Sequence, residues 1–303
     1  MENLLSVSDL TENQIKNLIL SARAIKSGKS TSKQVLEQKS LALLFEKPSL
    51  RTRASFELGI TQLGGKSVYL NKEEIGLGTR EPVRDIAHVL DRWFDGIVAR
   101  VSSHETLNLL AAGCSIPVIN ALSDVEHPCQ ALSDILTINE KLGDIKNIKI
   151  VFIGDGNNVA SSLALCAGAL GAHFVMCSPQ SYKINESTWQ IALDQAKKTG
   201  AKLEWIKDPN IAVEKADVIY TDVWISMGDE NQTAQRIQDF SGYQVTPELI
   251  GIANDQAIFM HDMPAHEGEE ISEGLLYHPQ SVVFDQAENR LHMQKAILSS
   301  LLK

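Results

Sequence analysis

The stretch Leu41-Ala-Leu-Leu-Phe-Glu-Lys-Pro-Ser-Leu-Arg-Thr-Arg53 joins a short apolar run to an amphipathic segment. Residues 41–45 are a brief apolar run closed by a turn signal, which predicts a buried strand. Phe56, Ile60 and Leu63 then repeat at helical spacing, and Gly64-Gly65 supplies a stop. The stretch therefore predicts a strand, a turn and a helix, which is the repeating unit of parallel α/β sheets.

The start of the predicted helix carries four polar residues, Ser49, Arg51, Thr52 and Arg53. The first helical turn exposes backbone N–H groups and the positive end of the helix dipole, which suit an oxyanion such as phosphate. Hydroxyl groups add donors, and arginine adds a planar fork that matches phosphate oxygens. A helix cap with solvated arginines explains the same residues about equally well, because capping residues are common at helix starts.

A second motif, His127-Pro-Cys-Gln130, follows an apolar strand predicted at residues 117–121. Pro128 is a good first helical residue, so His127 lies just outside the helix. A neutral imidazole and a carboxamide can together donate to a carbonyl oxygen and accept from an amide N–H. A lone His-Pro usually marks a turn, but the two motifs in this order are more specific, and here the chain resembles the carbamoyltransferases.

Two later segments narrow the resemblance to the ornithine branch of the aspartate/ornithine carbamoyltransferase family. Gly154-Asp-Gly-Asn-Asn158 follows a predicted strand and also suggests a dinucleotide loop, but Val159 stands where the third glycine belongs. That loop, and above all Thr221-Asp-Val-Trp-Ile-Ser-Met-Gly228, resembles the ornithine branch. The residues after His261 offer no arginine for a second carboxylate, which disfavours aspartate as the acceptor.

Composition is that of a soluble globular protein of two ordinary domains. The 303 residues are 44% hydrophobic and 22% charged. No apolar run reaches the ~18 residues that span a bilayer. The net charge of −10 argues against nucleic acid as a partner. Four cysteines without a CxxC pair, and an N-terminus without a signal or transit pattern, lead us to expect a cytoplasmic protein with reduced thiols.

Strand and helix patterns alternate along the whole chain, which predicts an α/β protein with two doubly wound parallel-sheet domains and a cleft between them. Thr11-Glu-Asn-Gln14 is a capping box that opens the first helix. The resemblance implies that the final helix, from about Gln286 to Leu302, packs back on the N-terminal domain. We therefore expect a carbamoyl phosphate-binding domain at 1–132 plus 287–303, and an ornithine-binding domain at 133–286.

The resemblance implies a role for individual residues of this chain. Ser49, Arg51 and Thr52 would hold the phosphate, while Thr52, Arg100 and His127 would donate to the carbamoyl oxygen. Gln130 would hold the carbamoyl amide, and Arg290 would be a further ligand; without the resemblance, Arg100 and Arg290 read as ordinary solvated or paired arginines. The full carbamoyl phosphate-binding set is Ser49, Leu50, Arg51, Thr52, Arg100, His127, Gln130 and Arg290.

On the acceptor side, the resemblance implies that Asn158 binds the carboxylate of the amino acid and Asp222 its α-amino group. The full ornithine-binding set is Asn158, Asp222, Ser226, Met227, Asp262 and Met263. The catalytic set is Arg100, His127, Asp222 and Asp262. Neither a metal nor an organic cofactor is expected, because no HExxH motif or Cys/His cluster suggests one.

The chain departs from the family pattern at two places. The family usually has His-Cys-Leu-Pro where this chain has His261-Asp-Met-Pro264. We hypothesise that Asp262, close to Asp222, favours the protonated amine and so slows the reaction, raises its pH optimum or selects another amine; a tolerated substitution is almost as good an explanation. Relatives often present His or Gln to a neighbouring subunit where this chain has Gly76, although Arg80 could compensate.

The resemblance as a whole implies transfer of the carbamoyl group from carbamoyl phosphate to L-ornithine. It also implies a homotrimer or a multiple of trimers, with carbamoyl phosphate bound first and domain closure afterwards. Two alternatives stay open: a carbamoyltransferase for another amine, such as putrescine or an acylated ornithine, and a non-catalytic metabolite-binding relative.

Overall fold

In the computed structural model of this chain, residues 2–29, 34–225 and 230–302 are described. The chain divides into two compact units. Unit 1 comprises Met1–Leu136 and Glu288–Lys303, and unit 2 comprises Thr137–Ala287. Among the described residues, no helix has both the length and the apolar character needed to cross a membrane.

Unit 1 is built on a parallel sheet whose strand order, among the described residues, is β2-β1-β3-β4. Its strands are β1 (Ser40–Phe45), β2 (Lys66–Asn71), β3 (Gly96–Arg100) and β4 (Val118–Leu122). Its helices are α1 (Glu12–Lys26), α2 (Leu50–Gln62), α3 (Lys72–Ile75), α4 (Val83–Trp93) and α5 (His104–Gly113). Every residue of β3 is buried, as expected for a parallel strand that helices cover on both faces.

Unit 2 is built on a second parallel sheet, of order β7-β6-β5-β8-β9 among the described residues. Its strands are β5 (Lys149–Ile153), β6 (His173–Cys177), β7 (Lys202–Ile206), β8 (Val218–Thr221) and β9 (Ile258–His261). Its helices are α7 (Asn158–Leu170), α8 (Glu186–Thr199), α9 (Pro209–Val213), α10 (Thr233–Asp239) and α11 (Pro247–Ile250). Helix α7, which connects β5 to β6, is buried over most of its length. The two strands are mainly apolar and buried.

Two helices contain the boundaries between the units. Helix α6 (Pro128–Leu142) begins in unit 1 and ends in unit 2, whereas α12 (Val283–Leu301) begins in unit 2 and ends in unit 1. The C-terminal part of α12 belongs to unit 1 because Met293, Ile297 and Leu298 are buried there. The predicted return of the last helix to the N-terminal domain is confirmed, although the helix begins at Val283, three residues before the predicted start.

The predicted α/β class with two parallel sheets is confirmed. Thr11 caps α1 and forms the predicted capping box with Gln14. In both sheets the chain runs outward from the first strand in one direction and then in the other, so a topological switch point lies beside β1 in unit 1 and beside β5 in unit 2. Ligands of open α/β sheets bind at the carboxyl ends of strands at such points.

Candidate active site

The deciding stretch forms the turn between β1 and α2 at the switch point of unit 1. Ser49 is the N-cap of α2, and its hydroxyl accepts a hydrogen bond from Thr52 N at 3.3 Å. The register pairs Phe45 with Arg100, so the ends of β1 and β3 lie side by side. Leu50 is 81% exposed, so its side chain turns to solvent, whereas Thr52 is buried. The turn therefore offers free backbone N–H groups beside the end of β3.

A buried polar network links α2, α6 and α12 within unit 1. The guanidinium of Arg290 donates through Nη1 to Gln130 Oε1 and through Nη2 to Thr52 Oγ1, the latter at 2.6 Å. The amide of Gln130 donates in turn to Asp134 Oδ1 at 2.8 Å. All four side chains are buried. Because Asp134 can only accept here, it fixes the orientation of the Gln130 amide and leaves the carboxamide oxygen directed to Arg290.

His127 lies just before α6, with Arg290 and Arg100 near enough to act on its charge. Burial, first, and then the positive charges of Arg290 and Arg100 hold the pKa of the His127 imidazole well below its ordinary value. The imidazole is therefore neutral near pH 7, and it keeps both a donor and an acceptor nitrogen. We call the side chains assembled here the unit 1 cluster: Thr52, Arg100, His127, Gln130, Asp134 and Arg290.

The two arginines of the opening motif have different environments. Arg53 is exposed, pairs with Glu57 at 2.9 Å, and stacks on the Tyr69 ring at 3.7 Å from its centroid. Its hydrogen bond to Glu57, above all, raises the pKa of the Arg53 guanidinium. Arg51 is partly buried in the first turn of α2. Arg53 thus has partners on the surface of α2, and Arg51 stands nearer the free N–H groups.

The glycine-rich loop of unit 2 follows β5 at that unit's switch point. Gly154 has φ +140°, and a Cβ on Gly156 would lie 2.2 Å from the backbone nitrogen of Ile184. Both positions therefore require glycine for backbone reasons rather than for a phosphate. Asn157 is the N-cap of α7, and its side chain accepts from Val159 N and Ala160 N. Asn158, the predicted carboxylate ligand, is the first residue of the helix and is partly buried.

Asp222 follows β8 and lies next to that loop. Its Oδ2 accepts from Asn157 Nδ2 at 2.7 Å, and its Oδ1 accepts from Val223 N at 2.7 Å. The register pairs Thr221 with both Ile153 and His261, so β5, β8 and β9 end at one edge. One ligand atom from each of Asp222, His261 and Asp262 lies within 4.8 Å of the others. We call these four residues, Asn157, Asp222, His261 and Asp262, the unit 2 cluster.

The segment after β9 has unusual backbone geometry. Met263 has φ +55°, in the left-handed region, and the Met263–Pro264 peptide bond is cis. The Met263 N–H donates to His261 Nδ1 at 2.8 Å. Asp262 comes directly before Met263 and has a carboxylate oxygen within 4.8 Å of one of Asp222. The predicted ligands Ser226 and Met227 lie outside the described residues.

Among the residues that the structure describes, two groups of side chains bring their ligand atoms within 4.8 Å of one another, as a metal site requires: the trio in the unit 2 cluster, and His266, Glu269 and Glu270. Ordinary ion pairs give similar distances, and His266 Nδ1 lies 4.0 Å from Glu269 Oε2. Carboxylate and imidazole groups suit several divalent cations.

Gly76 ends α3 with φ +57°, and the Arg80 side chain packs against it. A Cβ on Gly76 would lie 2.7 Å from Arg80 Cγ. Arg80 donates to the Glu74 carbonyl at 3.3 Å, so its guanidinium is bound within its own loop. A His or Gln at this position would meet both backbone strain and the Arg80 side chain.

Three members of the clusters, Asp134, Asn157 and His261, were not among the site residues predicted from the sequence. Asp134 lies one helical turn after Gln130, and this spacing was the available signal. Asn157 carries an N-cap signature in the sequence, but its second bond, to Asp222, depends on strand order.

Comparison with known proteins agrees with this geometry. The family model described as the carbamoyl-P binding domain of aspartate/ornithine carbamoyltransferase matches residues 2–140, and the Asp/Orn binding domain model matches residues 146–301. The chain belongs to the aspartate/ornithine carbamoyltransferase family. Arg290 of this carbamoyltransferase-family chain lies in the segment that matches the Asp/Orn binding domain model. Its side chain nevertheless bonds to Gln130 and Thr52 of the unit 1 cluster.

Named relatives cover the whole chain. The ornithine carbamoyltransferase of Hyperthermus butylicus is 48% identical over 99% of this chain and 97% of its own length. That of Methanosphaera stadtmanae is 46% identical over 100% of both chains. Among solved structures, ornithine carbamoyltransferase from Pyrococcus furiosus superposes with a TM-score of 0.94 at 45% identity, covering 98% of this chain and 96% of that one. The anabolic enzyme of Campylobacter jejuni also gives 0.94, at 39% identity over 99% of each chain.

Proposed function

We propose that this chain is an ornithine carbamoyltransferase, which transfers the carbamoyl group of carbamoyl phosphate to the side-chain amine of L-ornithine and forms L-citrulline and phosphate. The observation that carries the proposal is the buried Arg290 fork on Gln130 and Thr52 beside a neutral His127, in a chain of this family. Full-length relatives at 42–48% identity bear this enzyme name, one of them as the anabolic form.

Unit 1 binds carbamoyl phosphate in this proposal. The phosphate lies at the N-terminus of α2, where Ser49, Leu50, Arg51 and Thr52 offer backbone and side-chain donors. Arg51 and Arg290 balance its charge. Gln130 Oε1 already accepts from Arg290, and its second lone pair accepts an N–H of the carbamoyl amide. The bond from Gln130 to Asp134 keeps that oxygen facing the ligand.

Arg100, His127 and Thr52 stabilise the negative charge that grows on the carbamoyl oxygen. Each such donor, aimed at a developing oxyanion, is typically worth about 2.7–4 kcal/mol. A neutral His127 donates from one ring nitrogen without adding a third full charge near Arg100 and Arg290. The low pKa of His127 thus keeps the imidazole in the same neutral state over the physiological pH range.

Unit 2 binds the amino acid. Asp222, already oriented by Asn157 and Val223, accepts the α-ammonium group through its remaining lone pairs. Asn158 donates to the α-carboxylate at the N-terminus of α7. Ser226 and Met227 add contacts, and Asp262 and Met263 lie by the reactive amine.

The reaction balances without a redox partner. The side-chain amine loses a proton, its nitrogen lone pair forms a bond to the carbamoyl carbon, and the bond from that carbon to the phosphate oxygen breaks. Phosphate leaves with the electron pair and takes the second amine proton. The first proton goes to solvent, so one proton is released per turnover near neutral pH.

A second acceptor class deserves a test because Asp262 and Asp222 lie within 4.8 Å of each other. Two carboxylates at this distance favour a cationic group between them. The pair fits the side-chain ammonium of ornithine and also that of another amine, such as putrescine or acetylornithine.

The deciding experiment measures phosphate release and ureido product from carbamoyl phosphate across pH, with ornithine, acetylornithine, putrescine, lysine and aspartate as separate acceptors. We expect citrulline formation with ornithine to exceed every other product. If another amine gave more ureido product, that amine would be the substrate instead of ornithine. Tight carbamoyl phosphate binding without ureido product on any acceptor would refute the enzymatic function.

We further propose that the protein is a homotrimer, or a multiple of trimers, in the cytoplasm. The resemblance to the family supports the trimer, and the four cysteines, present as thiols with three of them buried, support a reducing compartment. Light scattering should give three times 33.3 kDa or a multiple of that mass. A monomer would contradict this part of the proposal.

A further inference from the structure

The imidazole of His261 has a defined hydrogen-bonding state. His261 ends β9 and is fully buried. Its Nδ1 accepts from Met263 N at 2.8 Å, and a backbone N–H can only donate, so Nδ1 carries a lone pair rather than a proton. In a neutral ring the proton is then on Nε2, which lies 3.1 Å from Glu270 Oε1. The carboxylate of Glu270 therefore accepts a hydrogen bond from the Nε2–H group of His261.

Glu270 is itself fixed on several sides. Its side chain is fully buried, and Oε1 accepts a second hydrogen bond, from His266 N at 2.6 Å. Its backbone carbonyl accepts from Val245 N at 2.8 Å, and Val245 and Ile271 are core residues that form an isolated bridge. His266 Nδ1 lies 3.8 Å from Oε2. A carboxylate in so fixed a position defines where the imidazole points.

The orientation of His261 bears on the backbone that follows it. Met263 has φ +55°, in the left-handed region that disfavours a non-glycine residue. The ring nitrogen of His261 holds the Met263 N–H in that conformation. Asp262 lies between them, with Oδ1 3.7 Å from His261 Nδ1. If the ring carried its proton on Nδ1, the Met263 N–H would face another donor, and the Asp262–Met263 backbone would lose its anchor.

We propose that Glu270 is a positioning residue of the unit 2 cluster. It holds His261 as the Nε2–H tautomer, so that Nδ1 fixes the Asp262–Met263 backbone beside the reactive amine; the kinetic consequence rests on the proposed function. Glu270 acts only through His261 and touches no substrate. Removal of the Glu270 carboxylate should therefore lower kcat/KM for ornithine and leave KM for carbamoyl phosphate unchanged.

The kinetic test compares Glu270→Ala, Glu270→Gln and, as a matched control, Glu269→Gln. We expect Glu270→Ala to lower kcat/KM for ornithine about 10²-fold through misplacement of the reacting groups, with KM for carbamoyl phosphate within twofold of the wild type. Glu270→Gln keeps an acceptor oxygen for Nε2–H and His266 N, and should be at least tenfold more active than Glu270→Ala. Glu269→Gln alters only a partly exposed carboxylate and should match the wild type.

A structural readout separates this inference from the proposed function. The ¹⁵N shifts of the His261 ring nitrogens, assigned by comparison with His261→Asn, report which nitrogen carries the proton without any substrate. We expect Nε2–H in the wild type and in Glu270→Gln, and a loss of that preference in Glu270→Ala. This result stands even if no citrulline is formed, in which case only the proposed function fails.

Three outcomes would overturn the inference. The first is a proton on Nδ1 in the wild type, which is observable even if Glu270→Ala does not fold. The second is an equal loss toward carbamoyl phosphate and ornithine in Glu270→Ala, which would indicate general destabilisation. The third is Glu270→Gln as inactive as Glu270→Ala, because the hydrogen bond alone would then not suffice.

Discussion

The unit 1 and unit 2 clusters occupy the same topological position in two similar sheets, yet they have opposite charge. In unit 1 the guanidinium groups of Arg100 and Arg290 surround a neutral imidazole, with one carboxylate, Asp134, behind them. In unit 2 the carboxylates of Asp222 and Asp262 lie together. In the proposed function, one α/β edge therefore binds an anion and the other binds a cationic amine, although the backbone architecture is the same. Function resides in the side chains that the edge presents.

The two buried histidines make the same contrast at the level of one residue type. Burial, first, and then the nearby charges of Arg290 and Arg100 lower the pKa of the His127 imidazole. His261 lies among carboxylates, 3.1 Å from Glu270 and 3.7 Å from Asp262. In the proposed function, the ring of His127 donates toward a substrate oxygen, whereas the ring of His261 anchors its own backbone.

The sharpest way to break the unit 1 cluster is Arg290→Lys, which keeps the charge and removes the fork. Lysine ends in a single nitrogen and cannot donate to Gln130 and Thr52 in the parallel geometry of the fork, so at least one of these buried acceptors loses the donor that Arg290 supplied. We expect kcat/KM for carbamoyl phosphate to fall about 10²–10³-fold, as measured by phosphate release. Arg92→Lys on the exposed face of α4 is the control. A loss under tenfold would mean that charge alone suffices.

The corresponding test in unit 2 is Asp222→Asn. The neutral side chain has one acceptor oxygen for two donors, Asn157 Nδ2 and Val223 N, and it no longer balances an ammonium group. A charged hydrogen bond is worth roughly 1.5–3 kcal/mol, so we expect kcat/KM for ornithine to fall about 10- to 150-fold. KM for carbamoyl phosphate should not change, and Asp194→Asn on the surface of α8 should behave as the wild type. An equal effect on both substrates would contradict the division of roles.

Much of the fold could be predicted because it is local in sequence. The Thr11 capping box, the Ser49 cap and the strand at 41–45 each depend on a few adjacent residues, and each was found. The alternation of strands and helices then implied parallel sheets. The start of α12 was placed three residues late because no capping signal marks Val283.

Site residues could be predicted only where they belong to a recognisable sequence motif. Asp134 was missed although it lies one helical turn after Gln130, and Asn157 was missed because its contact with Asp222 depends on strand order, which the local pattern does not specify. Arg290 was found through resemblance alone, since its partner Thr52 lies 238 residues away in the chain. Glu270 gave no signal at all: a glutamate in a polar loop is ordinarily exposed.

A smaller effect is expected when one negative charge of the unit 2 cluster is removed. Asp262→Cys removes one of two carboxylates within 4.8 Å of each other and restores the residue usual in the family. We expect the acid limb of the pH–rate profile with ornithine to move down by about one pH unit, because the neutral amine becomes easier to form. The exposed Asp255→Asn should not move it. An unchanged profile together with an unchanged acceptor preference would make Asp262 a tolerated substitution.

The last prediction concerns stability and depends on His127 of unit 1. Its folded pKa is depressed, so below about pH 6.5 the unfolded chain binds a proton that the folded chain does not. The free energy of unfolding therefore falls as pH falls, by at most about 1.4 kcal/mol per pH unit from this group, down to the folded pKa. Denaturant titrations at pH 7 and pH 5.5 should show a smaller loss in His127→Asn than in the wild type. The exposed His88→Asn should keep the wild-type loss. Equal losses in all three proteins would mean that His127 is not held neutral by Arg100 and Arg290, and the contrast between the two histidines would disappear.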